Sequence, residues 1–144
     1  RFAKQNEQLK IIIRFHSILS KQIKSRLNIE SNNIKISSSN LKEDCKCSRW
    51  IIYSSSTAVY EGIYFNCIPI RLECNLASDL SDPLWQINSN LIKNISNHNE
   101  LSEFINLSKI TNTYKSYDNS IKLLKNEVGK LRSNLNLDTL KKEI

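Results

Sequence analysis

The stretch from Trp50 to Gly62 limits the possible folds of this chain more than any other part of it. It begins with an apolar and aromatic run, 50–53, that is typical of a strand buried in a parallel sheet. Three serines and a threonine follow at 54–57, and a helical pattern comes after them. This order predicts four side-chain hydroxyls and several free backbone N–H groups at a helix N-terminus. Such a terminus carries about half a positive charge and binds phosphate groups well.

Strand-like and helix-like segments alternate through the first two-thirds of the 144 residues. We predict strands at 9–15, 34–36, 50–53, 68–72 and 91–95. We predict helices at 18–27, 40–45 and 55–66, and one more that is capped by Asn97 or Asn99. The alternation is typical of an α/β fold, a Rossmann-like parallel sheet with helices on both faces. We place this sheet domain at 1–113 and a long C-terminal helix with its tail at 114–144.

Composition narrows the class of protein further. Only two glycines and two prolines are present, which argues against a turn-rich all-β fold. No run approaches the roughly 18 to 20 apolar residues of a membrane span, and the polar start does not resemble a signal peptide. The net charge of +7 has two interpretations. It belongs to a solvated lysine-rich surface, or it serves to attract anions such as nucleotide phosphates, acidic lipid headgroups or an acidic acceptor. No RNA- or DNA-binding pattern is present, so we expect no nucleic-acid partner.

The four cysteines, Cys45, Cys47, Cys67 and Cys74, are expected to be reduced thiols in a cytoplasmic protein. Cys45 and Cys47 are too close in sequence for the usual zinc knuckle, and no histidine lies at zinc-finger spacing. We therefore predict no metal site and no covalently bound cofactor.

Candidate ligand-binding residues lie at the ends of two predicted strands. His16 follows the first strand, with Arg14 two residues before it, and the run Ser54, Ser55, Ser56 and Thr57 follows the third. Because the carboxyl ends of parallel strands share one edge of a sheet, we expect both groups to face one crevice. An imidazole can donate to a phosphate oxygen, although a lone histidine is more simply explained as a surface or capping residue. One hydroxyl is needed to cap the helix, and the others favour a phosphorylated ligand, with a nucleotide as the first hypothesis.

Glu61 lies four residues after Thr57, one turn further along the same helix face. Its carboxylate is suited to accept hydrogen bonds from a ribose diol. The alternative interpretation is a solvated carboxylate on a helix surface.

Two motifs resemble those of bacterial surface-polysaccharide transferases. The first is Arg14-Phe15-His16-Ser17, which is similar to the Arg-x-His-Pro motif of that family. The second is Ser54-Ser55-Ser56-Thr57-Ala58-x-x-Glu61 with Cys67-Ile68-Pro69-Ile70, which is similar to Ser-Ser/Thr-x-x-x-Glu with Gly-x-Pro-Val-Ile. Over residues 9–107 the chain resembles the C-terminal half of a GT-B-fold glycosyltransferase, a group with sialyltransferase-like and glycerophosphate-transferase members.

The resemblance implies that this domain binds a nucleotide-sugar donor. Phosphate contacts would come from Arg14, His16 and residues 54–57, and a ribose contact from Glu61. The catalytic base would come from an N-terminal domain outside this chain. The chain would then be a fragment of a two-domain enzyme and would be inactive alone. It would also lack the strand that precedes the histidine motif in the family. The acceptor would be a glycan or lipid-linked glycan, and the location cytoplasmic, with peripheral contact at the inner membrane face.

Two positions depart from the family pattern. Ser17 stands where the family has proline, so the turn after His16 is less fixed. Asn66 stands where the family has glycine at the end of the helix. Because asparagine tolerates the left-handed conformation, we expect this helix cap to survive.

Apolar and aromatic residues alternate spacings of three and four near the C-terminus: Tyr114, Tyr117, Ile121, Leu124, Val128, Leu131 and Leu135. Such a seam is typical of a long helix that packs on its own domain or on the missing one. The rival interpretation is a coiled-coil homodimer through 114–135. A non-catalytic α/β interaction module that oligomerises through this helix is thus an alternative function, and a sugar-nucleotide hydrolase or epimerase is another.

Overall fold

The structure, a computed structural model, describes residues 1–15, 31–73, 82–110 and 114–134. The strands in these ranges are β1 Ile11–Ile13, β2 Ile34–Ile36, β3 Trp50–Tyr53, β4 Ile68–Leu72 and β5 Lys93–Ile95. The helices are α1 Phe2–Gln5, α2 Leu41–Lys46, α3 Ala58–Tyr64, α4 His98–Ile110 and α5 Tyr114–Asn134. The predicted helix at 18–27 lies outside the described residues.

The described strands form two small parallel sheets. β1 pairs with β2, and β3, β4 and β5 form the second sheet in that order. In the second sheet Tyr53 lies beside Arg71, and Arg71 lies beside Asn94. The α/β class with parallel strands is confirmed, but no ladder between described strands joins the first sheet to the second.

Helices α3 and α5 cover one face of the three-stranded sheet. Tyr53 at the end of β3 packs with Ile63 of α3 in a cluster of buried residues. Helix α5 contributes Ile121, Leu124 and Val128 to the same cluster. These three belong to the apolar seam, so the structure supports packing of this helix on its own domain. A dimer through the same seam would have to displace these contacts.

Helix α4 covers the other face of this sheet. Because side chains alternate along a strand, Ile70 points away from the face that Arg71 shares with Tyr53. Ile70 and Ile95 form a second buried cluster with residues of α4, Leu101 and Ile105. Helices therefore lie on both sides of the three-stranded sheet.

Helix α2 is hydrogen-bonded to residues that adjoin a strand of each sheet. Arg14, which follows β1, donates from Nε to Oδ2 of Asp44 on α2 over 3.0 Å. On the other side, the thiol of Cys67, which precedes β4, donates to the carbonyl of Cys45 on α2 over 3.3 Å. The first sheet is thus tied to the second through this helix.

Asparagines fix three helix ends, and the caps at Asn97 and Asn66 agree with the sequence analysis. Asn40 Oδ1 accepts from the N–H of Glu43 over 2.9 Å at the start of α2. Asn97 Oδ1 accepts from the N–H of Glu100 over 3.0 Å at the start of α4. Beyond α3, Asn66 has a φ of 69°, so it takes the left-handed conformation expected of this helix cap.

Candidate functional site

The four predicted hydroxyls lie at the carboxyl end of β3. Ser54 is half-buried, whereas Ser55, Ser56 and Thr57 are exposed to solvent. The side-chain hydroxyls of Ser55 and Thr57 make no hydrogen bond to another residue of the described ranges. A ligand that approaches this end of the strand therefore meets two hydroxyls that are able to donate or accept.

The backbone N–H groups at the start of α3 are used within the turn, which corrects the prediction that they are free. Ala58 donates its N–H to Ser56 Oγ over 3.3 Å. Val59 donates to the carbonyl of Ser56 over 3.3 Å, and Tyr60 donates to the carbonyl of Thr57 over 3.1 Å. The helix begins at 58 rather than 55 and has seven residues. The N–H groups of residues 58–60 are thus engaged within the turn, whereas the side-chain hydroxyls of Ser55 and Thr57 can bond an anion.

Arg14 binds a carboxylate of the chain itself, Asp44, and its predicted contact with a phosphate stays a prediction. Its Nη2 donates to the Ser37 hydroxyl over 2.8 Å and to the Ser39 carbonyl, in addition to the bond from Nε to Asp44. Burial opposes the charge on Asp44, but hydrogen bonds from Ser37 and Arg14 outweigh it and hold the pKa of Asp44 below its usual value. The guanidinium charge is thus balanced within the chain.

His16 lies outside the described residues, so its position beside the hydroxyls stays a prediction. The shared crevice depends on one continuous sheet whose strands all end at one edge. In the structure β1, which precedes His16, and β3, which precedes Ser54, belong to different sheets. The sequence argument for bringing the two segments together therefore loses its topological basis.

Glu61 is exposed on α3, one turn after Thr57. Burial raises the pKa of the Cys45 thiol on α2, and the Glu61 carboxylate acts in the same direction while Arg14 acts against it.

The buried thiols are structural rather than reactive. Cys67 donates its thiol to the carbonyls of Cys45 and Ser48, over 3.3 and 3.4 Å. Burial raises the pKa of Cys67 to about 12, which keeps it protonated near neutral pH. Within the described ranges no three His, Cys, Asp or Glu side chains are grouped to hold a metal ion. None of the described helices combines the length and apolar character that crossing a membrane requires.

A second polar cluster, which the sequence reasoning missed, lies on the sheet face beside the hydroxyls. Asp82 Oδ1 accepts from the Tyr53 hydroxyl over 3.4 Å and from the N–H of Leu84 over 2.9 Å. Arg71 Nε lies 3.4 Å from the other carboxylate oxygen, Oδ2. Burial, and then the charge of Asp82, raise the pKa of Tyr53 well above its usual value, so its hydroxyl stays a donor. An arginine inside the apolar run of β4 is the signal in the sequence that points to this cluster.

No family model, curated protein or solved structure matches this chain. A functional proposal therefore depends on its residues and on the geometry described above. Two features stand out in that geometry: the exposed hydroxyls that follow β3, and the polar cluster that Tyr53, Arg71 and Asp82 form on the adjoining sheet face.

Proposed function

We propose that this chain is the donor-binding half of a GT-B-fold glycosyltransferase and that residues 54–57 bind the diphosphate of a nucleotide sugar. The observation that carries the proposal is the exposed hydroxyl cluster at the carboxyl end of β3. Parallel α/β sheets bind their ligands at this end of the strands. Ser55 and Thr57 support the proposal because their side-chain hydroxyls bond no residue in the described part of the chain and are therefore available to a ligand.

Each residue of the cluster has a chemical role in this proposal. Ser55 and Thr57 donate to phosphate oxygens, and hydrogen bonds to a charged acceptor are shorter and stronger than neutral ones. Glu61, one helical turn further on, accepts from the ribose diol. The net charge of +7 attracts an anionic donor without fixing its position. Arg14 is assigned no phosphate contact in this proposal, because its guanidinium already pairs with Asp44.

The proposed reaction transfers the sugar to a surface glycan or a lipid-linked glycan at the inner face of a bacterial membrane. In it the domain positions the donor and stabilises the negative charge that develops on the leaving diphosphate. No residue of this chain is assigned as the catalytic base. We therefore expect the chain alone to bind donors without transferring the sugar.

Isothermal titration calorimetry with CDP, UDP, GDP and CMP-sialic acid tests the proposal, and we expect at least one of them to bind. Substituting Ser55→Ala together with Thr57→Ala should weaken binding at least tenfold. A hydrogen bond to a charged group contributes about 1.5–3 kcal/mol, and 1.4 kcal/mol is tenfold in affinity. Circular dichroism should show an unchanged fold, since neither hydroxyl bonds another described residue.

The matched control is a second exposed serine pair between a strand and a helix. Ser38 and Ser39 follow β2 and precede α2. Substituting both with alanine should leave nucleotide affinity unchanged. Absence of binding by all four ligands, or an equal loss in both double variants, would overturn the proposal.

A further inference from the structure

A cavity of about 370 Å³ lies beside the Asp82 cluster, on the sheet face next to the proposed donor site. Its polar lining comes from β4, β5 and the segment before β5: Arg71, Asp82, Asn88, Ser89 and Asn94. Small-molecule sites occupy about 300–1,000 Å³. At the lower end of that range, the cavity suits a single ring rather than a whole nucleotide sugar.

The charges in the cavity favour an uncharged ligand. Arg71 and Asp82 form an ion pair, and their side chains are only 13% and 12% exposed. Asp82 is also held by the Tyr53 hydroxyl and by the backbone N–H of Leu84, so the carboxylate is fixed beside the guanidinium. A phosphate would meet this carboxylate as well as the arginine and would gain little net attraction.

Trp85 supplies an apolar surface to the same cavity. It lines the cavity and is nevertheless 73% exposed, the highest value among the large exposed apolar side chains of the described ranges. The N–H of Trp85 donates to the Asp82 carbonyl over 3.2 Å, which fixes the backbone that carries the ring. An aromatic ring at the rim of a polar cavity is suited to stack on the C–H face of a ring-shaped ligand.

We propose that this cavity binds the pyranose ring of an uncharged sugar, which stacks on Trp85 and forms hydrogen bonds with the polar groups around it. Sugar hydroxyls project around the whole ring, and each can both donate and accept. The cavity offers the matching groups: the carboxylate of Asp82 accepts, the guanidinium of Arg71 donates, and the amides of Asn88 and Asn94 do both. A nucleobase would stack equally well, but its polar atoms lie only along the edge of its plane.

This inference goes beyond the proposed function and does not depend on it. The sugar site uses none of the hydroxyls of residues 54–57, so sugars can bind even if nucleotides do not. The reverse result, nucleotide binding without sugar binding, would remove this inference and leave the proposed function standing.

The test is a titration of the ¹⁵N-labelled chain with neutral monosaccharides, followed by NMR. The panel contains glucose, galactose, mannose, N-acetylglucosamine and N-acetylgalactosamine, with uridine and inorganic phosphate as comparison ligands. At least one sugar should produce saturable shifts of the Trp85 indole and the Ser89 amide, with a Kd on the order of 1 mM. The indole of Trp50, the other tryptophan, should not move.

Variants test whether the sugar binds in this cavity. In each variant the Kd is measured from the shift of the Ser89 amide, because Ser89 itself is unchanged. Trp85→Ala and Asn94→Leu should each raise the Kd at least fivefold, and both positions are exposed, so the fold should persist. The matched control is Tyr64→Ala, because Tyr64 is 68% exposed and does not line the cavity. The inference fails if no sugar gives saturable shifts, if Trp85→Ala binds as the parent does, or if only uridine or phosphate binds.

Discussion

The contact between α3 and β3 is tested by substituting alanine for each of the two glycines of the chain. Both glycines lie in helices, Gly62 in α3 and Gly129 in α5. A Cβ added at Gly62 would lie 2.6 Å from Cδ1 and 2.8 Å from Cγ2 of Ile51. A Cβ added at Gly129 would meet no atom within 4 Å. The same substitution, glycine to alanine, should therefore have opposite effects at the two positions.

The magnitudes follow from two contributions to the free energy of unfolding. Alanine in place of glycine stabilises a helix by about 0.5–1 kcal/mol, and this contribution is common to both variants. Overpacking at Gly62 costs about 1–3 kcal/mol, because Ile51 is branched at Cβ and cannot easily rotate its Cγ2 away. Gly129→Ala should stabilise the protein by about 0.5–1 kcal/mol, and Gly62→Ala should lie about 1–3 kcal/mol below it.

Urea unfolding followed by circular dichroism measures both variants. Adding Ile51→Ala to Gly62→Ala removes the clashing atoms, so the pair should show a favourable coupling energy in a double-mutant cycle. If Gly62→Ala is as stable as Gly129→Ala, then α3 does not lie on β3 at the described distance. The placement of the hydroxyl cluster between those two elements would then be wrong.

Three further predictions concern the cap, an ion pair and the thiols. Asn66→Gly should stabilise the protein by about 0.5 kcal/mol, because glycine takes a φ of 69° without a side-chain penalty; a lower urea midpoint would contradict this. Since the pKa of Asp44 is lower in the folded chain than its ordinary 3.8, the carboxylate stabilises the fold at neutral pH and loses this contribution as the pH falls through the folded-state pKa. Asp44→Asn should therefore destabilise the protein at pH 7, and its difference from the parent should shrink as the pH falls below 3.8, whereas exposed Glu43→Gln should differ little from the parent at pH 7. Iodoacetamide should label exposed Cys47 in the native protein and spare buried Cys67, whose pKa is raised to about 12; equal labelling in a peptide map would refute the burial.

The parts of the fold that depend on neighbours in sequence are well predicted. The bounds of β4, 68–72, and the start of α5 at Tyr114 agree with the predicted ones. Asn40 and Asn97 cap their helices because an asparagine oxygen can reach an N–H group three residues ahead, which is a local event. The left-handed Asn66 follows from the same kind of rule.

The features that depend on distant residues are not predictable in this way. Arg14 meets Asp44, which is 30 positions further along the chain, and nothing in either segment identifies the partner. The ion pair of Arg71 with Asp82 likewise forms only when the segment before β5 packs on the sheet. The observed start of α3, at 58, differs from the predicted start at 55 for a local reason. The oxygens of Ser56 accept hydrogen bonds from the N–H groups of Ala58 and Val59 in a turn before the helix.

The central claim, that the hydroxyls after β3 bind a nucleotide diphosphate, is tested most directly by mapping amide shifts. The ¹⁵N-labelled chain is titrated with whichever of CDP, UDP or GDP binds best, and every assigned backbone amide is followed to saturation. The account predicts that the largest shifts occur at Ser55, Ser56 and Thr57, with a smaller one at Glu61. Largest shifts elsewhere, or saturation that leaves these amides unmoved, would contradict it.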